Sequence, residues 1–275
     1  MDKLKIIIII LLLVIFAITL TLLSLNNKTT TNFKIYVFNA GKADAILIEN
    51  NNTYIMIDTG EEDLSTEILD YFKKNNITKL DYLIITHFDK DHVGSASSII
   101  DNIEIDNVLQ SNSPKDSEYY NNYINSLNNK NIEPITISGD KEYNIGDLKF
   151  IVNGPETIYD KNESNNSSLI VSLYYKNTSY LFMGDAENAR IKDYLTNHNE
   201  SYDFIKIPYH GNYLKRLEEL LSVVNPKYAI ITNSKKEGAE QDTLDLLEDN
   251  NIKYYLTSNG KIIITSDGNS ININQ

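Results

Sequence analysis

Cysteine is absent from this chain of 275 residues, and histidine occurs only four times. Without cysteine there are no disulfide bonds and no thiolate ligands, so any metal ion must be held by imidazole and oxygen. Basic residues are also few, since 25 lysines and arginines face 38 acidic residues, and the formal net charge is −13. The overall field therefore does not attract nucleic acid, and a phosphodiester would have to be held by a metal ion or a local basic patch.

One long uncharged run stands near the N-terminus, from Ile6 to Leu25. In helical form it matches the hydrocarbon thickness of a bilayer. Lys3 and Lys5 precede it, which favours a cytoplasmic N-terminus and places the rest of the chain on the outer face. A cleaved signal peptide is the alternative, but its apolar region would be shorter, and no small-x-small cleavage pattern follows the run.

These features predict a single-pass anchor in the cell membrane and one larger domain on its extracytoplasmic face. The expected division is an N-terminal membrane anchor and linker over residues 1–28, then a domain over residues 29–275. The membrane itself is then a partner of the chain, through residues 6–25.

Beyond the apolar run, short apolar segments alternate with turns and amphipathic stretches, which is typical of a mixed α+β or layered α/β domain. An Asn-rich turn joins two predicted strands, Ala45–Glu49 and Thr53–Ile57, into a hairpin. Apolar spacing predicts a helix over Leu64–Lys74. Further strands are predicted over residues 33–38, 82–86, 148–152, 169–175, 180–183, 204–208, 228–232, 254–257 and 261–265, and a further helix over 243–250.

Four potential metal donors lie within six residues, His87-Phe88-Asp89-Lys90-Asp91-His92, directly after the predicted strand 82–86. Two carboxylates and two imidazoles so close together would repel or desolvate one another unless a cation organised them. The alternative is a solvated polar loop rich in Asp and His. Because two of the four histidines fall in this segment, we favour a metal site.

Three more predicted strands end in ionisable residues, at Asp58, Asp185 and His210. Strand ends are the usual place for loop-borne chemistry on a rigid scaffold. Singly each has a plainer interpretation, since Asp185 could cap a helix and His210 could be a turn residue. Glu187 is better placed to favour a helix N-terminus than to act in catalysis. His198, which lies between two asparagines, is predicted to be a surface residue and not a ligand.

Four motifs now stand in order along the chain: Asp58-Thr59-Gly60, Thr86-His87-x-Asp89-x-Asp91-His92-x-Gly94, Gly184-Asp185-Ala186-Glu187 and His210-Gly211. Together they resemble the metallo-β-lactamase-fold superfamily, and more narrowly the hydrolase domain of ComEC/Rec2-type competence proteins. The resemblance covers about residues 33–270. It implies an α+β fold, an αββα sandwich of two facing β-sheets, with the predicted transmembrane helix preceding it and a metal site at one edge.

The resemblance also implies a ligand set for two divalent metal ions, Zn²⁺ or Mn²⁺. The positions that match are His87 and Asp89 for the first ion and Asp91, His92 and His210 for the second, with Asp185 bridging the two and Asp58 steadying the metal-binding loop. Two such ions share a hydroxide and hold the attacking and leaving oxygens of a hydrolysed ester. The implied catalytic residues are Asp91, which would orient that hydroxide, and Asp185.

The chain departs from the family pattern in ways that affect the first ion. The third motif histidine of the wider superfamily is missing, and the nearest residues are Asn165, Asn166 and Ser167. Asp89 stands where many superfamily members have histidine, although the competence group commonly has Asp there, and Tyr209 replaces the first of the paired histidines before glycine. The first ion is therefore short of donors, so its binding is expected to be weak, and an oxygen-rich shell favours a harder ion such as Mn²⁺.

Three functions remain open. The leading one is a membrane-anchored, extracytoplasmic metal-dependent hydrolase that acts on phosphate esters, such as extracellular DNA or a wall polymer, through a metal-bound hydroxide. Nucleic acid would then be bound only as a metal-held substrate. A second is a hydrolase of lactones or other carboxyl esters, since the fold hosts many chemistries. A third is a catalytically degenerate binding or assembly component of an envelope or DNA-uptake complex. The expected specificity loops, residues 111–133 and 211–222, contain no motif that decides among them.

Overall fold

The structure is a computed structural model that describes residues 9–19, 33–157, 159 and 163–275. These residues fall into two compact units, one within residues 1–32 and one over Phe33–Gln275. In the first unit, residues 9–19 form helix α1. The remainder of the predicted anchor, residues 6–8 and 20–25, lies outside the described residues. No helix among the described residues is both long and apolar enough to cross a membrane.

The described part of the larger unit is built on two β-sheets. The strands of the first sheet are β1 (Lys34–Val37), β2 (Ala45–Asn50), β3 (Thr53–Thr59), β4 (Lys79–Ile85), β5 (Glu104–Gln110), β6 (Ile135–Thr136), β14 (Ile262–Ser266) and β15 (Ile271–Asn274). Their order across the sheet is β15-β14-β1-β2-β3-β4-β5-β6. Pairing is antiparallel from β15 to β3 and parallel from β3 to β6, so β3, β4 and β5 end at the same edge.

The second sheet also combines parallel and antiparallel strands. Its strands are β7 (Gly139–Ile145), β8 (Leu148–Gly154), β9 (Ile170–Tyr175), β10 (Thr178–Phe182), β11 (Phe204–Lys206), β12 (Tyr228–Ile231) and β13 (Lys253–Leu256). Their order is β13-β12-β11-β10-β9-β8-β7. The four strands from β10 to β13 are parallel, so their carboxyl ends also meet at one edge.

Helices cover the outer face of each sheet. Their bounds are α2 (Ser65–Lys74), α3 (Lys90–Val93), α4 (Ala96–Asn102), α5 (Glu118–Lys130), α6 (Glu163–Asn166), α7 (Asn188–Asn197), α8 (Leu217–Val224) and α9 (Gln241–Asp249). Residues of α2, α4 and α5 pack in one buried cluster with the first sheet. Residues of α7, α8 and α9 pack in another with the second sheet.

Side chains that point alternately to the two faces of each strand produce these layers. In β1, Ile35 and Val37 join the apolar cluster between the sheets, where Phe150, Val171 and Phe182 meet them from the second sheet. Tyr36, which points to the opposite face, belongs to the cluster beneath the helices. The arrangement is helix, sheet, sheet, helix, and it confirms the predicted αββα sandwich.

The glycine in the second motif is required by close packing. A Cβ atom on Gly94 would lie 2.4 Å from the Lys90 carbonyl oxygen and 2.7 Å from the Glu62 nitrogen. Real side chains do not approach backbone atoms so closely, so only glycine fits. Gly94 thereby lets α3, which carries two of the predicted metal donors, lie directly against the turn that follows β3.

Candidate metal centre

Four of the six predicted ligands converge at the edge where the two sheets end. Asp91 and His92 lie in α3, after β4, whereas Asp185 follows β10 and His210 lies in a 3₁₀ turn, Pro208–Gly211, after β11. One donor atom from each of these residues lies within 4.8 Å of the other three. His92, Asp185 and His210 are buried, and the side chain of Asp91 keeps 24% of its surface exposed. The site is therefore shared between the two sheets and opens to solvent on the Asp91 side.

The imidazole Nε2 atoms at this point lack hydrogen bonds, although carboxylate oxygens lie close to two of them. In the described part of the chain, the buried Nε2 atoms of His87, His92 and His210 make no hydrogen bond. Asp185 Oδ2 lies 3.1 Å from His210 Nε2 and 3.4 Å from His92 Nε2, and Asp91 Oδ2 lies 3.4 Å from His210 Nε2. Buried polar atoms without partners are rare and costly. Two imidazoles and two carboxylates suit Zn²⁺ or Mn²⁺, so these four residues fit one divalent ion.

Asp58 fixes the His92 ring through Nδ1, the ring nitrogen that does not face the other candidate ligands. Its Oδ2 lies 2.7 Å from His92 Nδ1, and its two oxygens accept hydrogen bonds from the backbone N–H (2.7 Å) and hydroxyl (2.6 Å) of Thr86. Asp58 has a φ of +54°, in the left-handed region that non-glycine residues seldom adopt. Metal-bound histidines usually have such a partner on the second ring nitrogen. Asp58, for which the resemblance implies a supporting role, is thus in direct contact with one of the predicted ligands.

The His210 ring is oriented from the second sheet, whose strand β11 leads into the turn that holds His210. Its Nδ1 lies 3.0 Å from both the carbonyl oxygen and the hydroxyl of Thr232, which directly follows β12. Tyr209 and His210 have φ values of +52° and +53°. Two consecutive non-glycine residues in this region cost on the order of 1–3 kcal/mol each. The backbone is thus strained at the residue that aims a donor into the site.

A buried lysine, which was not predicted as a site residue, pairs with two carboxylates of the centre. Lys206, at the end of β11, has no exposed surface, and its Nζ lies 2.5 Å from Asp44 Oδ2. It also donates to the Gly184 carbonyl at 2.8 Å and lies 3.5 Å from Asp185 Oδ1. A signal was present, because a lysine inside the apolar run Phe204-Ile205-Lys206-Ile207 has to find a buried partner.

Asp44 is the second missed residue, and it connects Lys206 to Thr232. Besides the Lys206 ammonium, it accepts a 2.6 Å hydrogen bond from the Thr232 hydroxyl. Burial opposes its ionisation, but Lys206, His92 and His210 together outweigh burial and lower the pKa of Asp44. Asp44, Asp58 and His92 form a second cluster of possible metal donors. Because Lys206 pairs with Asp44, and His92 and Thr86 contact Asp58, this cluster already has its partners and acts as a support behind the first.

The carboxylates also change the proton affinity of the imidazoles. Burial alone would lower the pKa of His210, but Asp185 and Asp91 outweigh burial and raise it to about 9. Asp185 and Asp58 likewise raise the pKa of His92 well above its ordinary value, against the effect of burial. Without a metal ion, the carboxylates favour a proton on each of these two rings. A bound metal ion would replace that proton.

The structure leaves the other two predicted ligands, His87 and Asp89, outside this set. Neither donor cluster in the described ranges contains them. His87 is buried, and burial together with the neighbouring His92 ring lowers its pKa to about 3, so the ring is neutral. Its Nδ1 lies 3.3 Å from the Ser168 hydroxyl and 3.2 Å from the Thr86 hydroxyl.

The residues near the missing third histidine serve other contacts. Asn166 Oδ1 accepts from the Arg190 backbone N–H at 3.1 Å, and Asn165 donates to Glu187 at 2.8 Å. His198, which was predicted to be a surface residue, is partly buried: its ring stacks on Tyr194 with the centroids 4.2 Å apart, and its Nε2 pairs with Asp140. Neither donor cluster among the described residues contains it.

Comparison with known proteins identifies the family and the fold. Residues 39–232 match the profile of the metallo-beta-lactamase superfamily. The chain belongs to this superfamily. The metallo-beta-lactamase fold protein YhfI from Bacillus subtilis has a similar structure, with a TM-score of 0.57 and 9% sequence identity over 88% of this chain and 99% of that chain. A CmlA beta-hydroxylase variant is also similar, with a TM-score of 0.51 and 15% identity over 84% of this chain and 53% of that chain. At these identities the likeness shows the fold alone.

Two curated relatives narrow the resemblance within the superfamily. ComE operon protein 3 of Bacillus subtilis is 26% identical over 204 residues, which are 71% of this chain and 26% of that protein. Recombination protein 2 of Haemophilus influenzae is 27% identical over 211 residues, which are 74% of this chain and 24% of that protein. The chain thus spans about a quarter of the length of these relatives. The ComEC/Rec2-type resemblance stated from the motifs is confirmed.

The role of Lys206 as the buried counter-charge can be tested without metal. Lys206→Met leaves Asp44 and Asp185 without their ammonium partner, so the free energy of unfolding of the metal-free protein should fall by about 3–5 kcal/mol. Lys227→Met removes an exposed ion pair with Asp203, whose atoms lie 2.9 Å apart, and should cost less than about 1 kcal/mol. Urea unfolding followed by circular dichroism measures both. Equal losses in the two variants would contradict the assigned role.

Proposed function

We propose that this member of the metallo-beta-lactamase superfamily is a membrane-anchored, metal-dependent hydrolase whose ion is held by Asp91, His92, Asp185 and His210. The observation that carries the proposal is the convergence of two unpartnered, buried imidazole nitrogens with two carboxylates. The supports behind them, Asp58, Thr232 and Lys206, fix the ring and carboxylate orientations before any ion binds, which lowers the cost of ordering the site.

A divalent ion bound there would supply Lewis-acid chemistry, which polarises an ester and makes water nucleophilic near neutral pH. Asp91 is the one ligand with an exposed side-chain surface, so its second oxygen is in position to accept a hydrogen bond from water or substrate. Asp185 offers Oδ2 to the imidazoles, while Lys206 approaches its Oδ1. We accordingly propose catalytic roles for Asp91 and Asp185.

The proposed substrates are phosphate esters, with extracellular DNA or a wall polymer as examples. Support comes from the curated relatives, one of which is named a recombination protein and the other a ComE operon protein. DNA that took part in such a process would present phosphodiesters. The acidic chain gives no general attraction for nucleic acid, so the phosphate has to be held locally, at the ion.

Substitution can distinguish three of the four proposed ligands from a remote histidine. His92→Ala, Asp185→Ala and His210→Ala should each weaken metal binding more than about 100-fold and remove most hydrolysis, because each deletes a donor. His198→Ala should change neither, since His198 contacts Tyr194 and Asp140 instead. Metal content by elemental analysis and turnover on a panel of phosphodiesters and carboxyl esters, with Zn²⁺, Mn²⁺ or Mg²⁺ added, give both readouts.

Each result of that panel decides among the candidate functions. Hydrolysis of carboxyl esters or lactones alone would replace the phosphate proposal with the second enzyme function. Metal binding without turnover on any substrate would favour a binding or assembly component. Loss of metal in the His198 variant with retention in the His210 variant would refute the site itself.

The anchor is proposed from the N-terminal residues. Along α1, the large apolar side chains are between 47% and 62% exposed, from Ile9 to Phe16, and so need an apolar environment. Lys3 and Lys5 precede this helix and favour an N-terminus inside the cell. The catalytic domain would then lie on the extracytoplasmic face.

Protease accessibility tests this topology. Protease added to intact cells should cleave within residues 33–275, while the uncut chain sediments with the membrane fraction. Treatment after cell lysis provides the control for cleavability. Protection in intact cells would contradict the orientation, and a released form that begins near residue 26 would show a cleaved signal in place of an anchor.

A further inference from the structure

The carboxylate that the resemblance assigns to the first metal ion is already held by a cation. Asp89 Oδ1 accepts hydrogen bonds from the Lys115 ammonium and the Ser164 hydroxyl. Asp89 and Lys115 also form an ion pair, in which the Asp89 side chain is 27% exposed and the Lys115 side chain 40%. Lys115 lies between β5 and α5, within the segment 111–133 that we expected to set specificity.

The other donors needed for a first ion are not assembled around Asp89. His87 has an unpartnered Nε2, and the Ser168 hydroxyl lies 3.3 Å from Nδ1, the other nitrogen of the ring. Among the described residues, no cluster of three or more histidine, aspartate or glutamate donors includes His87 or Asp89. A hydroxyl is a poor replacement for an imidazole as a ligand for Zn²⁺.

Asp185 is also arranged for one ion and not for two. Its Oδ2 faces His92 Nε2 and His210 Nε2 at 3.4 and 3.1 Å, whereas its Oδ1 lies 3.5 Å from the Lys206 ammonium. The oxygen that could reach toward a second ion is therefore directed at a fixed positive charge. A divalent cation placed next to Lys115 and Lys206 would be repelled by both ammonium groups.

We propose that the chain binds one divalent ion, at Asp91, His92, Asp185 and His210, and that the Lys115 ammonium takes the place of a second ion at Asp89. The inference rests on the proposed function only in using the same four donors. Asp89 then is not a ligand. It is the residue that holds Lys115, and with it the loop before α5, at the edge of the site.

The number of bound ions tests this directly. Full-length protein and variants are equilibrated with excess Zn²⁺, and the bound metal is counted per chain by elemental analysis after dialysis. The parent should bind one ion, and so should Asp89→Asn, because Asp89 is not a ligand. Lys115→Ala should bind a second ion weakly, while excess Zn²⁺ is kept in the dialysis buffer, since removal of the ammonium leaves only Asp89 and the unpartnered Nε2 of His87 as donors. The matched control is Lys149→Ala, which removes an exposed ion pair between Lys149 on β8 and Glu142 on β7. This variant should bind one ion.

Three outcomes would overturn the inference. Two ions in the parent, or loss of an ion in Asp89→Asn, would show that Asp89 is a ligand. One ion in Lys115→Ala would show that Lys115 does not exclude the second. These ratios do not depend on turnover, so failure of the hydrolase proposal, with no substrate cleaved, is distinguishable from failure of the single-ion proposal.

Discussion

The buried ammonium of Lys206 is the charge on which the metal centre depends. It lies between Asp44 and Asp185, with Nζ–O distances of 2.5 and 3.5 Å, in a place without exposed surface. Without it, these two carboxylates would face each other and Asp58 and Asp91 in a poorly solvated environment, where like charges interact strongly. The lysine thereby allows several acids to stay ionised beside one another. The remaining negative charge then favours the binding of a divalent cation at the four proposed donors.

The same centre joins the two sheets. Asp44 comes from the first sheet and Lys206 and Thr232 from the second, so the contacts of Asp44 with these two residues cross between the layers. Because each imidazole is fixed through its Nδ1 atom, both rings present Nε2 to the same point. The strained backbone at Tyr209 and His210 is consistent with this purpose, since strain of that kind persists only where surrounding contacts determine the conformation. Fold and site thus stabilise each other.

Sequence patterns gave the layered architecture and most of the strands, because the buried strands carry apolar residues on both faces or in clear alternation. They missed β7, whose residues are mostly polar and exposed, and β15, which alternates Ile with Asn at the sheet edge. Motifs located the six ligand candidates, but spacing along the chain does not report which donor atoms meet. Lys115 and Ser164 reach Asp89 from segments 26 and 75 residues away, and no local pattern predicts such contacts. Lys206 was the one site residue with a readable signal that was not used.

We propose that His92 and His210 are the two imidazole ligands of a single bound ion. X-ray absorption at the Zn edge, on the purified protein loaded with Zn²⁺, can count them, because imidazole rings give a distinct scattering pattern beyond the first coordination shell. A single site at the four donors should show two imidazole nitrogens per Zn²⁺ at about 2.0–2.1 Å, with oxygens completing the shell. His87→Ala should leave that spectrum unchanged. Three imidazoles per ion, or loss of one imidazole signal in His87→Ala, would refute the single site.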